Sequence, residues 1–416
     1  MAKADDGPSV GPSSAKTRHV LYSGLIGAFG SGLLTVASLF LLEPSVRGRY
    51  VSVCHFPSLI GQLVGLSVHL VVPQARPGPR SEMLRRAMNA LTVCAMSCAA
   101  LGLPILALIW TLKGTETWGS YVLAGGNLFV GGIAFSATQI VYLIFGGKGF
   151  LTVSVVPPGL YAIAAVILVV LRIHSVGTFD AIFFAAGASG VLACLFALHV
   201  NQKRDPRQPG ELMATFRSTW SPHGNTLATY ALYRGDLLAS AIALSTTSLG
   251  MYSTATSISE VAWVVPQAVA MTAWRKAGAG HARSQEIARE MRLATIAAGV
   301  ACAGLAAVLG FLFRSYAAAA GIGFMLAPGV GLMAAHRVGA AHLAGLGRHE
   351  AVRSYLGITA VIACAGYPLS ALLFGTTGLA LCCTVVYCIA GLGAFRAVRS
   401  ESFRLASAER RVRRAV

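Results

Sequence analysis

The sequence is short of charge. Only 12% of its 416 residues are Asp, Glu, Lys or Arg, about half the share of a soluble globular domain. Acidic residues are the scarcest, 15 against 33 Lys and Arg, which leaves a formal net charge of +18. Several kinds of chemistry are missing too. No GxxxxGK[ST] pattern occurs, and "GGKG" at 146–149 lacks both its spacing and its Ser/Thr, so ATP hydrolysis is not expected. The ten histidines are scattered and compose no metal set. The nine cysteines all lie in apolar runs and read as small core residues. The only long polar connection, 201–225, is too short for a catalytic domain. The chain is therefore expected to be no enzyme and to need no cofactor. The first 15 residues are polar and rich in Gly, Pro and Ser, so no cleavable signal peptide is expected.

What remains is apolar. Hydrophobic residues make up 55% of the chain and its mean hydropathy is +0.67. That composition predicts an all-α integral membrane protein, each span taking about 20 residues. Twelve spans are expected, near 20–42, 50–73, 87–112, 118–144, 151–171, 179–200, 226–248, 252–274, 293–313, 322–345, 355–374 and 377–395. The polar stretch 201–225 falls near the midpoint. The chain thus divides into an N-tail (1–19), a six-helix lobe (20–200), a linker (201–225), a second six-helix lobe (226–395) and a basic C-tail (396–416).

The placement of positive charge tests this topology. With both termini in the cytoplasm, 26 Lys and Arg fall on inner segments, five on outer loops (Arg47, Arg49, Lys113, Arg172, Arg314) and two inside spans (Arg234, Arg337). The asymmetry follows the positive-inside rule. The surplus charge is topological, so nucleic acid is not an expected partner. The tail "RLASAERRVRRAV" reads as a surface for anionic membrane lipids.

A weak internal repeat follows the same division. "GRY" at 48–50 resembles "GMY" at 250–252, and "LIFGGKG" at 143–149 resembles "LAGLGRH" at 343–349, at offsets of 202 and 200. Six is an even number of spans, so the two lobes are expected to be parallel repeats about an axis normal to the membrane, with a substrate site between them.

Ionisable groups inside spans are costly and mark cavities or internal ion pairs. At 1.5 Å per residue, Arg234 is about 13 Å into its span and Asp236 about 16 Å, and Arg337 sits at a depth similar to Arg234, with His336 beside it. Glu260 is on the following span, shortly before Pro266–Gln267. Arg234 and Asp236 are about 200° apart round a helix and cannot both face one cavity squarely. Arg234 reads as a cavity residue or half of a structural ion pair, and Asp236 equally as either. Glu260 is a cavity or ion-coupling carboxylate, or a partner for an arginine. Arg337 lines the cavity or snorkels to headgroups. In the first lobe the in-span polar residues are His55, Gln62, His69, Asn127 and Gln139, and Arg47 and Arg49 read as headgroup contacts in an outer loop.

The stretches "YRGDLLASAIALSTTSLGMYSTATSISEVAWVVPQAV" (233–269), "LLEPSVRGRY" (41–50), "APGVGLMAAHRVGAAHLAGLGRHE" (327–350) and "GTTGLALCCTVVYCIAGL" (375–392) together resemble bacterial polysaccharide flippases of the MATE-like multidrug/oligosaccharidyl-lipid/polysaccharide exporter superfamily. The resemblance implies two six-helix bundles with alternating access, and a basic cavity that takes the pyrophosphate and sugars of a polyprenyl-linked oligosaccharide. It implies substrate binding by Arg234 and Arg337, and it leaves Asp236, Glu260 and His336 as cavity or coupling residues for H⁺ or Na⁺. A polysaccharide polymerase and glycosyltransferases are the partners it implies, and the bacterial cytoplasmic membrane the location. The superfamily's lipid II flippases usually have fourteen helices, against the twelve read here. The alternative is an ion-coupled antiporter for drugs or small metabolites, which would bind cations with carboxylates and aromatics.

Overall fold

The computed structural model describes residues 14–65, 68, 80–113, 118–200, 211–278 and 284–415, and they are almost wholly helical. The first lobe contains α1 (Ser14–Leu41), α2 (Pro44–Tyr50), α3 (Phe56–Val64), α4 (Arg80–Ser97), α5 (Leu103–Lys113), α6 (Trp118–Ser154), α7 (Val156–Val170) and α8 (Val176–Val200). A π-helical turn, Val51–His55, joins α2 to α3, and another, Cys98–Gly102, joins α4 to α5, so each pair makes one span. The second lobe contains α9 (Glu211–Ala243), α10 (Thr246–Ala262), α11 (Val264–Gly278), α12 (Ser284–Leu312), α13 (Ala317–Gly345) and α14 (His349–Ala415). α14 is two helices broken at Gly375, whose φ of 62° and ψ of −147° are open essentially only to glycine. Counted as spans, these elements make twelve in two groups of six. Seven helices among the described residues are long and apolar enough to cross a membrane.

The breaks follow proline chemistry. Pro157 and Pro158 lack the N–H that would extend α6, so the chain restarts as α7 after Val155. Pro266 frees the carbonyl of Ala262, where α10 ends. Pro57 similarly frees the carbonyl of Val53, inside the π turn. Buried Asn127 of α6 donates to that carbonyl at 3.2 Å, which satisfies its amide nitrogen in an apolar core. Large apolar side chains such as Phe196, Phe311 and Phe374 point outward, as a lipid environment requires.

Three sequence expectations change. The linker drawn over 201–225 is helical from Glu211 onward, and 201–210 lie outside the described residues. The inner loop at 145–150 is helical, because nothing before Val155 stops α6. The "LIFGGKG"/"LAGLGRH" pair therefore has no common conformation: α6 continues through the first, whereas the second ends α13 and places Gly347 at φ 72°. Residues 1–13 of the N-tail and His69 also lie outside the described residues.

The other repeat match is structural. Glu43 and Ser245, which precede α2 and α10, share one extended conformation (ψ 158° and 159°). The two helices then pack against each other across the lobes. At the same end the Tyr316 hydroxyl, from the second lobe, donates to the carbonyl of Leu42 at 2.8 Å, an acceptor left over by the end of α1. At the opposite end α9 packs on α3 and α4, and the Tyr230 hydroxyl donates to Gln62 Oε1 at 2.8 Å.

Candidate functional site

A cavity of about 900 Å³ lies between the lobes, bounded by these two contact zones. One part of its wall is polar, with Arg47, His55, Gln62, Arg234 and Glu260 from α2, α3, α9, α10 and the π turn. The other part is apolar and opens sideways between α1 and α12, where Phe29, Val36, Val261 and Val308 are all exposed.

The charges of α9 separate as the helical angle requires. Arg234 enters this cavity and pairs with Glu260 of α10, both side chains partly exposed at 32% and 43%. Asp236 is 2% exposed and turned into its own lobe. It accepts a hydrogen bond from the Tyr252 hydroxyl at 2.8 Å and a weaker one from the Cys383 thiol at 3.6 Å.

Arg47 was read as an outer-loop residue; in the structure it is 3% exposed and lines the cavity. Its guanidinium donates to Ser38 Oγ of α1, and its Nε has no hydrogen-bond partner among the described residues. The signal was present in "LLEPSVRGRY": Pro44 occupies the first helical turn, a position proline favours, so the second span starts six residues before the expected Tyr50 and takes Arg47 into the bundle. The cavity thus holds two guanidiniums against one carboxylate.

Arg337 does not join Arg234, although the two lie at similar depth. α13 carries it to a separate cavity of about 400 Å³ inside the second lobe, lined also by Tyr233, Gln267 and Trp274. Tyr233 and Arg234 are adjacent on α9 and face different cavities, so depth alone was a poor guide. His336 is buried, with Nδ1 3.1 Å from the Tyr355 hydroxyl. His55 stacks edge-on against Tyr50 with ring centroids 5.3 Å apart.

No protein-family profile and no curated protein matches the sequence. Solved structures do. An inward-facing multidrug resistance MATE transporter of the MOP superfamily is 15% identical, with 96% of this chain and 97% of that one covered at a TM-score of 0.59. The lipid II flippase MurJ in an inward closed conformation is 13% identical, covering 93% and 88% at 0.66. The eukaryotic MATE transporter AtDTX14 is 16% identical, covering 94% and 98% at 0.53. The chain is an integral membrane protein with the two-lobed fold of MATE transporters and the MurJ flippase.

Proposed function

We propose that this chain is an alternating-access transporter that flips a polyprenyl-pyrophosphate-linked oligosaccharide between the leaflets of a bacterial cytoplasmic membrane. The observation that carries the reading is the two-part wall of the central cavity. Its polar part has a guanidinium in excess of its carboxylates, and its apolar part opens to the side. A pyrophosphate is matched by guanidiniums, which bind phosphate oxygens in pairs. A polyprenyl tail is matched by the apolar opening, through which it remains in lipid while the head crosses. A molecule charged at one end and long and apolar at the other fits both parts.

In this reading Arg47 offers unused donors, whereas Arg234 must first exchange Glu260 for the substrate. Protonation of Glu260, or capture of a cation by it, releases Arg234, and this is the coupling role assigned to that carboxylate. Asp236 positions Tyr252 and the α9–α10 packing and does not touch substrate. The split of positive charge between loops supports cytoplasmic termini.

Depletion of the protein followed by lipid analysis tests the proposal. Sugar-loaded polyprenyl pyrophosphate is expected to accumulate on the inner leaflet; unchanged lipid pools overturn it. Glu260, partly exposed on the cavity, favours a second reading, a cation antiporter. Gradient-driven uptake of an organic cation into inverted vesicles, abolished in Glu260→Gln, would establish that reading instead.

A further inference from the structure

The cavity that holds Arg337 lies within the second lobe, between α9, α11, α13 and the first half of α14. The guanidinium packs against two rings that stand at right angles to each other: its central carbon is 4.4 Å from the ring centroid of Tyr233 and 4.5 Å from that of Trp263, and the two centroids are 5.9 Å apart. The break at Pro266 places Gln267 at its edge, where Gln267 Oε1 accepts from Nη1 at 3.0 Å. Nothing else in the described residues neutralises it. Among the described residues it makes no ion pair, and its buried Nε has no acceptor.

Aromatic faces attract a cation but accept none of its in-plane N–H bonds. A guanidinium carries five such donors in a rigid fork. A fork held against two rings, with Gln267 as its one recorded acceptor and an empty volume beside it, has room for an anionic oxygen at its terminal nitrogens. A cation at this depth without a counter-charge is costly, and a bound anion would offset that cost. The rest of the wall includes Met271, Trp274, Val352 and Leu356, so the ligand's anionic end must be joined to an apolar or weakly polar body. Arg337 stands two turns from Gly345, about 12 Å from the end of α13 where the inner-segment cations Arg348 and Arg353 follow.

We propose that this cavity is a second anion site, separate from the central cavity, which takes a phosphate ester on the edge of the Arg337 guanidinium. The phosphate is supplied by the headgroup of an anionic phospholipid or by a small soluble phosphate ester, and the two sources share this recognition.

Native mass spectrometry of the purified full-length chain in detergent tests it, with phosphatidylglycerol, phosphatidylcholine and glycerol 3-phosphate as separate probes. The wild type is expected to retain one phosphatidylglycerol or one glycerol 3-phosphate at least tenfold more tightly than Arg337→Gln. Retention of the lipid alone assigns the site to a headgroup; retention of glycerol 3-phosphate assigns it to a soluble ester. Equal retention by wild type and Arg337→Gln, or equal retention of phosphatidylcholine, overturns the proposal. Should Arg337→Gln not fold, Val352→Trp fills the cavity from α14 and is expected to lose the same ligand. Flipping is not the readout, so this result and that of the depletion experiment stand or fall separately.

Discussion

Gly48 and Gly250 hold the two lobes together by one contact made twice. A Cβ on Gly48 would lie 1.8 Å from the carbonyl oxygen of Thr246, and a Cβ on Gly250 would lie 1.9 Å from that of Pro44. The offset from Pro44 to Thr246 equals that from Gly48 to Gly250, so each lobe offers the other the same surface. Such reciprocity is the mark of a twofold interface, here within one chain. Small residues are required because no side chain fits between two helix backbones in contact.

Gly48→Ala and Gly250→Ala are expected to prevent the lobes from closing at this end. Each should lower transport at least tenfold while the protein still inserts, since overpacking of ~1–3 kcal/mol acts on the closed state and not on either lobe alone. Gly304→Ala, where a Cβ meets nothing within 4 Å, is the control and should transport normally. Transport assays in vesicles at matched protein levels check this.

Removing a cavity guanidinium should lower the flipping rate without loss of folded protein. A hydrogen bond to a charged group is worth ~1.5–3 kcal/mol, so Arg47→Ala and Arg234→Ala are each expected to slow flipping by roughly 10- to 150-fold. Arg234→Lys should recover little, because an ammonium cannot bind two oxygens in one plane. Initial rates with a lipid-linked substrate in proteoliposomes measure both effects.

Asp236 should behave as a residue of structure. Tyr252→Phe removes the 2.8 Å bond to a carboxylate that is 2% exposed, and an unsatisfied buried group costs ~1–3 kcal/mol. Thermal unfolding in detergent should shift downward in Tyr252→Phe. The mutant that remains folded should transport more nearly like wild type than Arg234→Ala does.

Gly375→Ala is expected to lower the unfolding temperature, because its φ of 62° with ψ of −147° strains any residue with a Cβ by ~1–3 kcal/mol. The site has no steric obstacle within 4 Å, so the whole effect is backbone strain. A mutation to Asn should not restore stability, since this region is not the left-handed helical one that Asn tolerates.

Much of the fold was legible in one dimension. Lipid selects for apolar runs of fixed length with charge at their ends, so the span count and the two-lobe division follow from hydropathy. Proline marks several of the breaks, and "GRY"/"GMY" already carried the interface between lobes. Boundaries were less legible wherever polar residues continued a helix. α9 extends back to Glu211 through a polar stretch, and α2 reaches back to Pro44, which hid Arg47 in an apparent loop.

The candidate site divides differently. The sequence by itself determined that Arg234 and Asp236 lie on one helix, on opposed sides, because two residues turn an α-helix by about 200°. Only the tertiary structure decided which side is the cavity, because that depends on where α3, α10 and α14 pack against α9. The same reason separates Arg234 from Arg337. Depth along a span is a property of the chain, whereas the azimuth of each helix, and so the cavity a side chain enters, is set by its neighbours.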